Sequence, residues 1–253
     1  MSERILFYSA SKGRGVISSI DDDNNMGDVR VFPEGSFAKD WTAVTGLSGD
    51  RMLFYSASKG RGVVTSVDDD NNMADLHVIP EGSFARDWTA VTALSGDRIL
   101  FYGASKGRGV VAAIDDNNSM GDVRVFPEGS FARDWTAVTA LSGDRILFYG
   151  ASKGRGVVCS VDDNNTIADV RVFPEGSFAK DWTSVTGLSD DRILFYGRAK
   201  GRGVVCSVDD GNTIADVRVI PEGSFAKDWT EVSFLRPMES HLRVGRSTET
   251  QLA

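Results

Sequence analysis

Residues 5–16, ILFYSASKGRGV, return with few changes at 52–63, 99–110, 146–157 and 193–204, a step of 47 residues each time without insertion or deletion. A fixed period of this length marks a chain assembled from supersecondary units that bury their apolar faces only by stacking on one another. The third unit shows what each one is made of. RILFYGA (98–104) is almost continuously apolar, the pattern of a strand covered on both faces. GVVAAID (109–115) follows across SKGR, a turn whose glycine permits positive φ. GDVRVF (121–126) alternates Val123 and Val125 with Asp122 and Arg124, so one face is wet, as in an edge strand. WTAVTAL (135–141) is small, β-branched and uncharged, which suits a tightly packed inner strand opened by Trp135. The joining segments LSGD, SKGR, DDNNS and PEGSFARD are short and rich in Gly, Asp, Asn or Pro, so each unit is expected to form four antiparallel strands.

The order of strands along the chain decides between an open stack and a closed ring. An open solenoid needs capping units with polar outer faces, and none stands at the start. The pattern begins at the second strand, RILFYSA, and stops at WTEVSFL (229–235), which is a first strand. The strand missing at one end is supplied at the other. The expected fold is therefore all-β: a five-bladed β-propeller with four antiparallel strands per blade, closed by pairing the C-terminal inner strand with the N-terminal blade. It takes up 1–235 as a single domain, with repeats at 4–50, 51–97, 98–144, 145–191 and 192–235. The stretch 236–253 lacks the repeat pattern and is expected to be a disordered tail.

A net charge of -8 argues against nucleic acid as a partner, because phosphate-binding surfaces carry a basic excess. No run approaches the roughly 18 apolar residues of a membrane span, and Met1-Ser2-Glu3-Arg4 leads into the first repeat with no apolar leader. The expectation is a soluble monomer without membrane insertion, cytoplasmic or released without a visible signal peptide. The two cysteines, Cys159 and Cys206, hold equivalent positions where other repeats carry Ser18, Thr65 and Ala112. Matching sites on successive units do not come within the roughly 7 Å a disulfide needs, so buried free thiols are expected.

A 47-residue unit used five times, a Trp opening the inner strand, an LFY-type second strand and an Asp/Asn-rich loop before the fourth strand together resemble the tachylectin-type five-bladed propeller lectins. The resemblance covers residues 4–235. It implies a non-catalytic protein that binds N-acetylated sugars in equivalent sites, one per blade. In that family an aromatic residue directly follows an Asp-Asn pair; here Met26, Met73, Met120, Ile167 and Ile214 stand close to that place.

Connectivity puts LSGD and DDNN at one end of the ring and SKGR and PEGSFAKD at the other. Sugar recognition needs amides and carboxylates for paired hydroxyls, with an aromatic or apolar platform for the C–H face of the ring. The first end offers Asp22 and Asn24, Asp69 and Asn71, Asp116 and Asn118, Asp163 and Asn165, and Asp210 and Asn212, preceded in each blade by Asp21, Asp68, Asp115, Asp162 or Asp209. These are the candidate ligand-binding residues. The alternative end offers Lys12 and Arg14 with Phe37 and Asp40, and Trp41, Trp88, Trp135, Trp182 and Trp229. Each set has a plainer use: Trp as packing between blades, Asp and Asn as turn caps. Replacing Asn24, Asn71, Asn118, Asn165 and Asn212 together is expected to abolish sugar binding with little change in stability.

Asp21-x-Asp23-x-Asn25 opens like a calcium loop, but Ser119, Gly211 and Thr213 erode it in later repeats and Phe32 stands where a closing Glu would be needed. No metal or cofactor is expected. His77 and His241 are isolated and no nucleophile–base pair recurs, so no catalytic residues and no enzymatic activity are expected. The reading is a multivalent lectin for glycans; the alternative is a structural or protein-interaction propeller, recently amplified or engineered, with no selected ligand.

Overall fold

The computed structural model describes residues 3–235, whose strands fall into five four-stranded antiparallel sheets with no helix among them. The first blade contains β1 (Glu3–Ser9), β2 (Arg14–Ile20) and β3 (Met26–Phe32). The second is β4 (Ala43–Leu47), β5 (Arg51–Ser56), β6 (Arg61–Val67) and β7 (Met73–Ile79), and the third β8 (Ala90–Ala93), β9 (Arg98–Gly103), β10 (Arg108–Ile114) and β11 (Met120–Phe126). The fourth is β12 (Ala137–Leu141), β13 (Arg145–Gly150), β14 (Arg155–Val161) and β15 (Ile167–Phe173). β16 (Ser184–Gly187), β17 (Arg192–Gly197), β18 (Arg202–Val208) and β19 (Ile214–Ile220) make the fifth. β20 (Glu231–Leu235) then returns to the first sheet and pairs with β1, from Arg4 opposite Leu235 to Tyr8 opposite Glu231. The chain is a five-bladed β-propeller closed by its last strand. The expectation for 236–253 lies outside the described residues.

Packing explains why the second strand of every blade is apolar at successive positions. In β1, Ile5 and Phe7 join Leu194, Tyr196 and Val205 of the fifth blade, while Leu6 and Tyr8 join Val44, Met52 and Phe54 of the second. Both faces of the strand are therefore interior. Each fully buried Leu or Ile contributes about 1.5–3 kcal/mol by leaving water. The outer strands have no neighbour on one edge and are exposed on both faces along most of their length, Val29 and Val31 of β3 included, where the sequence pattern pointed to one wet face. A bulge between Ile17 and Ser18 shifts the β2–β3 register, and the same irregularity recurs in the other four blades.

The Trp does not open the inner strand as expected. Trp41 lies two residues ahead of β4, turned sideways into the seam where it packs with Leu6, Tyr8 and Ile17 of the first blade and Phe54 of the second. The inner strands are joined around the axis by hydroxyls: Ala93, Ala140 and Gly187 donate their N–H groups to Thr45, Thr92 and Thr139, and Gly46 donates to Ser233. The junction between the fifth and first blades differs, since Thr186 donates to the Val232 carbonyl at 2.7 Å.

Candidate functional site

The two ends of the ring have the loop composition expected from connectivity. At the Asp/Asn end, Asp21 caps its own turn: its Oδ1 accepts the Asn25 N–H at 2.7 Å and its carbonyl accepts the Asn24 N–H at 2.9 Å. Hydrogen bonds from Asn25 hold the Asp21 carboxyl below the usual carboxylate range, and Asn72 does the same for Asp68. Asn24 closes the turn with φ at +61°, a left-handed conformation that Asn tolerates better than other side chains. Asn71, Asn118, Asn165 and Asn212 share it.

Each of these Asn side chains accepts a hydrogen bond from an arginine that sequence reasoning missed. Arg192 donates to Asn24 Oδ1 at 2.8 Å, Arg4 to Asn71 at 3.1 Å, Arg51 to Asn118 at 2.8 Å, and Arg98 and Arg145 to Asn165 and Asn212 at 2.9 Å. The same guanidinium pairs with an acid of the following blade: Arg4 with Asp50, Arg51 with Asp97, Arg98 with Asp144, Arg145 with Asp191 and Arg192 with Glu3. The result is a ring of latches running once around the molecule. Its signal in the sequence was an Arg opening every apolar second strand, a place where charge is tolerated only with a partner.

Beside each latch the second Asp of the loop is left free. Asp22, Asp69, Asp116, Asp163 and Asp210 are exposed, and their carboxylates make no hydrogen bond or salt bridge among the described residues. Next to them Met26, Met73, Met120, Ile167 and Ile214 are half-buried. In the third blade Met120 borders a wide-open hollow lined also by Ile114, Asp115, Ser119 and Asp122, while Asp116 and Asn118 stand outside it.

The opposite end keeps Phe37 against the Lys12–Arg14 hairpin, its N–H bonded to the Gly13 carbonyl at 2.9 Å, but exchanges the expected Asp40 and Trp41 for another pair. Arg14 faces Asp228 and Trp229, because the Asp-Trp pair of one repeat enters the next blade; Trp41 is met by Arg61. Arg14 grips Asp228 with Nε and Nη2 at 3.1 and 2.8 Å and lies 4.5 Å from the Trp229 ring centroid. Lys12 adds a contact to Asp228 at 3.4 Å. Hydrogen bonds from Arg14 bring the Asp228 carboxyl down to about 2. Arg108, Arg155 and Arg202 cover Trp88, Trp135 and Trp182 in the same way, and all five indoles are 6–8% exposed. These rings serve as seam filling beneath guanidinium lids, with no open aromatic face for a sugar.

The two cysteines are buried and free. Burial, reinforced by contact of each Sγ at 3.3 Å with Asp169 or Asp216, pushes both thiols far above their ordinary range. No helix of the described chain is long and apolar enough to cross a membrane.

No protein-family model and no curated protein matches the sequence. Solved structures do share the fold. A chain of a nidogen–laminin complex aligns with TM-score 0.55 and 5% identity over 93% of this chain and 99% of its own. A Bacteroides fragilis protein assigned as a 6-phosphogluconolactonase aligns with TM-score 0.50 and 9% identity over 92% of this chain and 98% of its own. The periplasmic gluconolactonase of Pseudomonas aeruginosa gives TM-score 0.48 and 11% identity over 93% and 99%. At these identities the likeness is one of fold, and none of the three is described as a lectin. The expectation that the chain is not an enzyme is corrected by this finding: the Bacteroides fragilis protein, named as a lactonase, shares the fold, so the propeller gives no ground for excluding catalysis.

Proposed function

We propose that the protein is a multivalent carbohydrate-binding protein whose ligands are glycans bearing N-acetylated sugars, taken up as a monomer at up to five weak sites on the Asp/Asn end. The observation that carries this reading is the repetition of one rigid arrangement around one rim: an exposed carboxylate, an Asn held in place by an arginine, and a Met or Ile beside them. Arginine occupies the Asn carbonyl oxygen and leaves the amide N–H₂ group to donate. The free Asp accepts, and the thioether or aliphatic side chain offers a surface for the C–H face of a pyranose. Single sites of this shallow kind bind weakly, and spacing five of them on one face raises avidity by about 10²–10⁴ where two or more engage together.

Glycan-array binding and haemagglutination test the proposal. Agglutination inhibited by an N-acetylated monosaccharide is the expected result. Asp22→Ala alone should weaken it, and the same change in all five blades should abolish it while the fold persists. Unchanged agglutination in the fivefold variant removes the Asp/Asn end from consideration. A second reading, a protein-interaction propeller, draws on the exposed valines of the outer edges, among them Val31, Val78 and Val172. Silence across the array with capture of an extended peptide would favour it.

A further inference from the structure

One position breaks the repeat where the blades meet the axis. The inner strands begin with Ala43, Ala90, Ala137 and Ser184, but the closing strand begins with Glu231. All five positions line an axial cavity of about 100 Å³, enough for a few water-sized occupants, and Glu231 is the only charged side chain among its lining residues. Its carboxylate has no hydrogen bond or salt bridge among the described residues. The four small counterparts leave room in front of it. Around it lie threonine hydroxyls, and each inner strand is paired on one edge only, so alternate carbonyl oxygens of the free edge face the axis.

We propose that the axial cavity binds one small monovalent cation, a potassium, sodium or ammonium ion, between the Glu231 carboxylate and the hydroxyl and carbonyl oxygens of the inner strands. A single carboxylate matches a single positive charge, whereas divalent ions draw on several carboxylates. The packed neighbours supply no competing charge: β4 and β16 carry no titratable side chain, and on β1 Tyr8 donates its hydroxyl to the Ala38 carbonyl, Arg4 is engaged by Asp50 and Asn71, and Glu3, at the far end, is paired with Arg192. Asp228, just before the strand, is held by Arg14. Burial pushes the Glu231 carboxyl up to about 8, so near neutrality it is mostly protonated and an entering cation displaces its proton to solvent.

The test is proton release from the full chain on adding potassium, sodium or ammonium chloride at constant ionic strength, with tetramethylammonium chloride, whose methyl shell keeps its charge out of close reach of oxygen ligands, as the balance. At pH 7 we expect release approaching about one proton per chain at saturation, fading to none above about pH 10, with an ion-specific rise in Tm. Glu231→Gln keeps the side-chain shape without titrating and should lose both signals. Glu231→Ala installs the residue that three of the other repeats carry, should fold, and should lose them too. Equal release from E231Q, or no ion-specific release from the folded parent chain, overturns the proposal.

Discussion

Asn24 shows how one side chain carries two duties at the rim. Its left-handed backbone costs a Cβ-bearing residue about 1–2 kcal/mol, and its oxygen receives a charge-assisted bond from Arg192 worth about 1.5–3 kcal/mol. Asn24→Ala is therefore expected to lower stability by about 2 kcal/mol in urea unfolding, and Asn24→Gly, which tolerates the φ, by less. The expectation from sequence that the fivefold Asn replacement would leave stability nearly unchanged is revised on these grounds, and the exposed Asp22 series is the cleaner probe of binding. The Arg14–Asp228 pair makes an acid-stability prediction. Because the folded pKa of Asp228 lies at about 2, below the ordinary value of 3.8, its contribution is fully present above about pH 4 and is lost as pH falls through about 2. Asp228→Asn should lower Tm at pH 6 and flatten its decline between pH 4 and 2. Cys159 and Cys206 should resist a thiol reagent at pH 8 in the folded protein and react at once after denaturation, since burial keeps them as thiols.

Among the elements, the second strands were the most legible in the sequence and the closing strand the most consequential. A run such as RILFY reads as doubly covered because both of its faces meet apolar neighbours, and the structure places alternate residues in two different seams. The latching arginines left a mark, a charge at the head of every apolar run, but their partners were not legible, because those of Arg4 lie 46 and 67 residues away in another blade. The axial Glu231 was visible as the one charged residue in its column of the repeat, but its meaning depends on five strands converging on the axis, which only the ring supplies. The Trp pairing was misassigned for a related reason: the unit that repeats in sequence is offset from the blade that folds. Two measurements check the element account. A chain ending at Asp228 lacks β20 and is expected to lose cooperative unfolding, whereas one ending at Leu235 is expected to retain it. Leu100→Ala, in the doubly buried β9, should cost about 3 kcal/mol in the same assay.

For the molecule as a whole, closure turns five similar blades into a ring in which each seam is covered on both sides and one rim presents the same polar loop five times. The departures are local: Glu3 in place of Asp in the latch of the fifth seam, Thr186 donating across the last junction, and Glu231 at the axis. Glu3 lies near enough to Asp22 for their charges to repel, and the apolar platform is Met in three blades and Ile in two, so the five proposed sites should be independent and graded in affinity. Independence gives binding that is weak per site and summed over the ring. Native mass spectrometry of the full chain titrated with N-acetylglucosamine reads this directly. The account predicts successive adducts up to five, and a ladder that stops at four when Asp22 alone is changed to Ala; a single adduct at saturation, or no adduct at millimolar sugar, would contradict it.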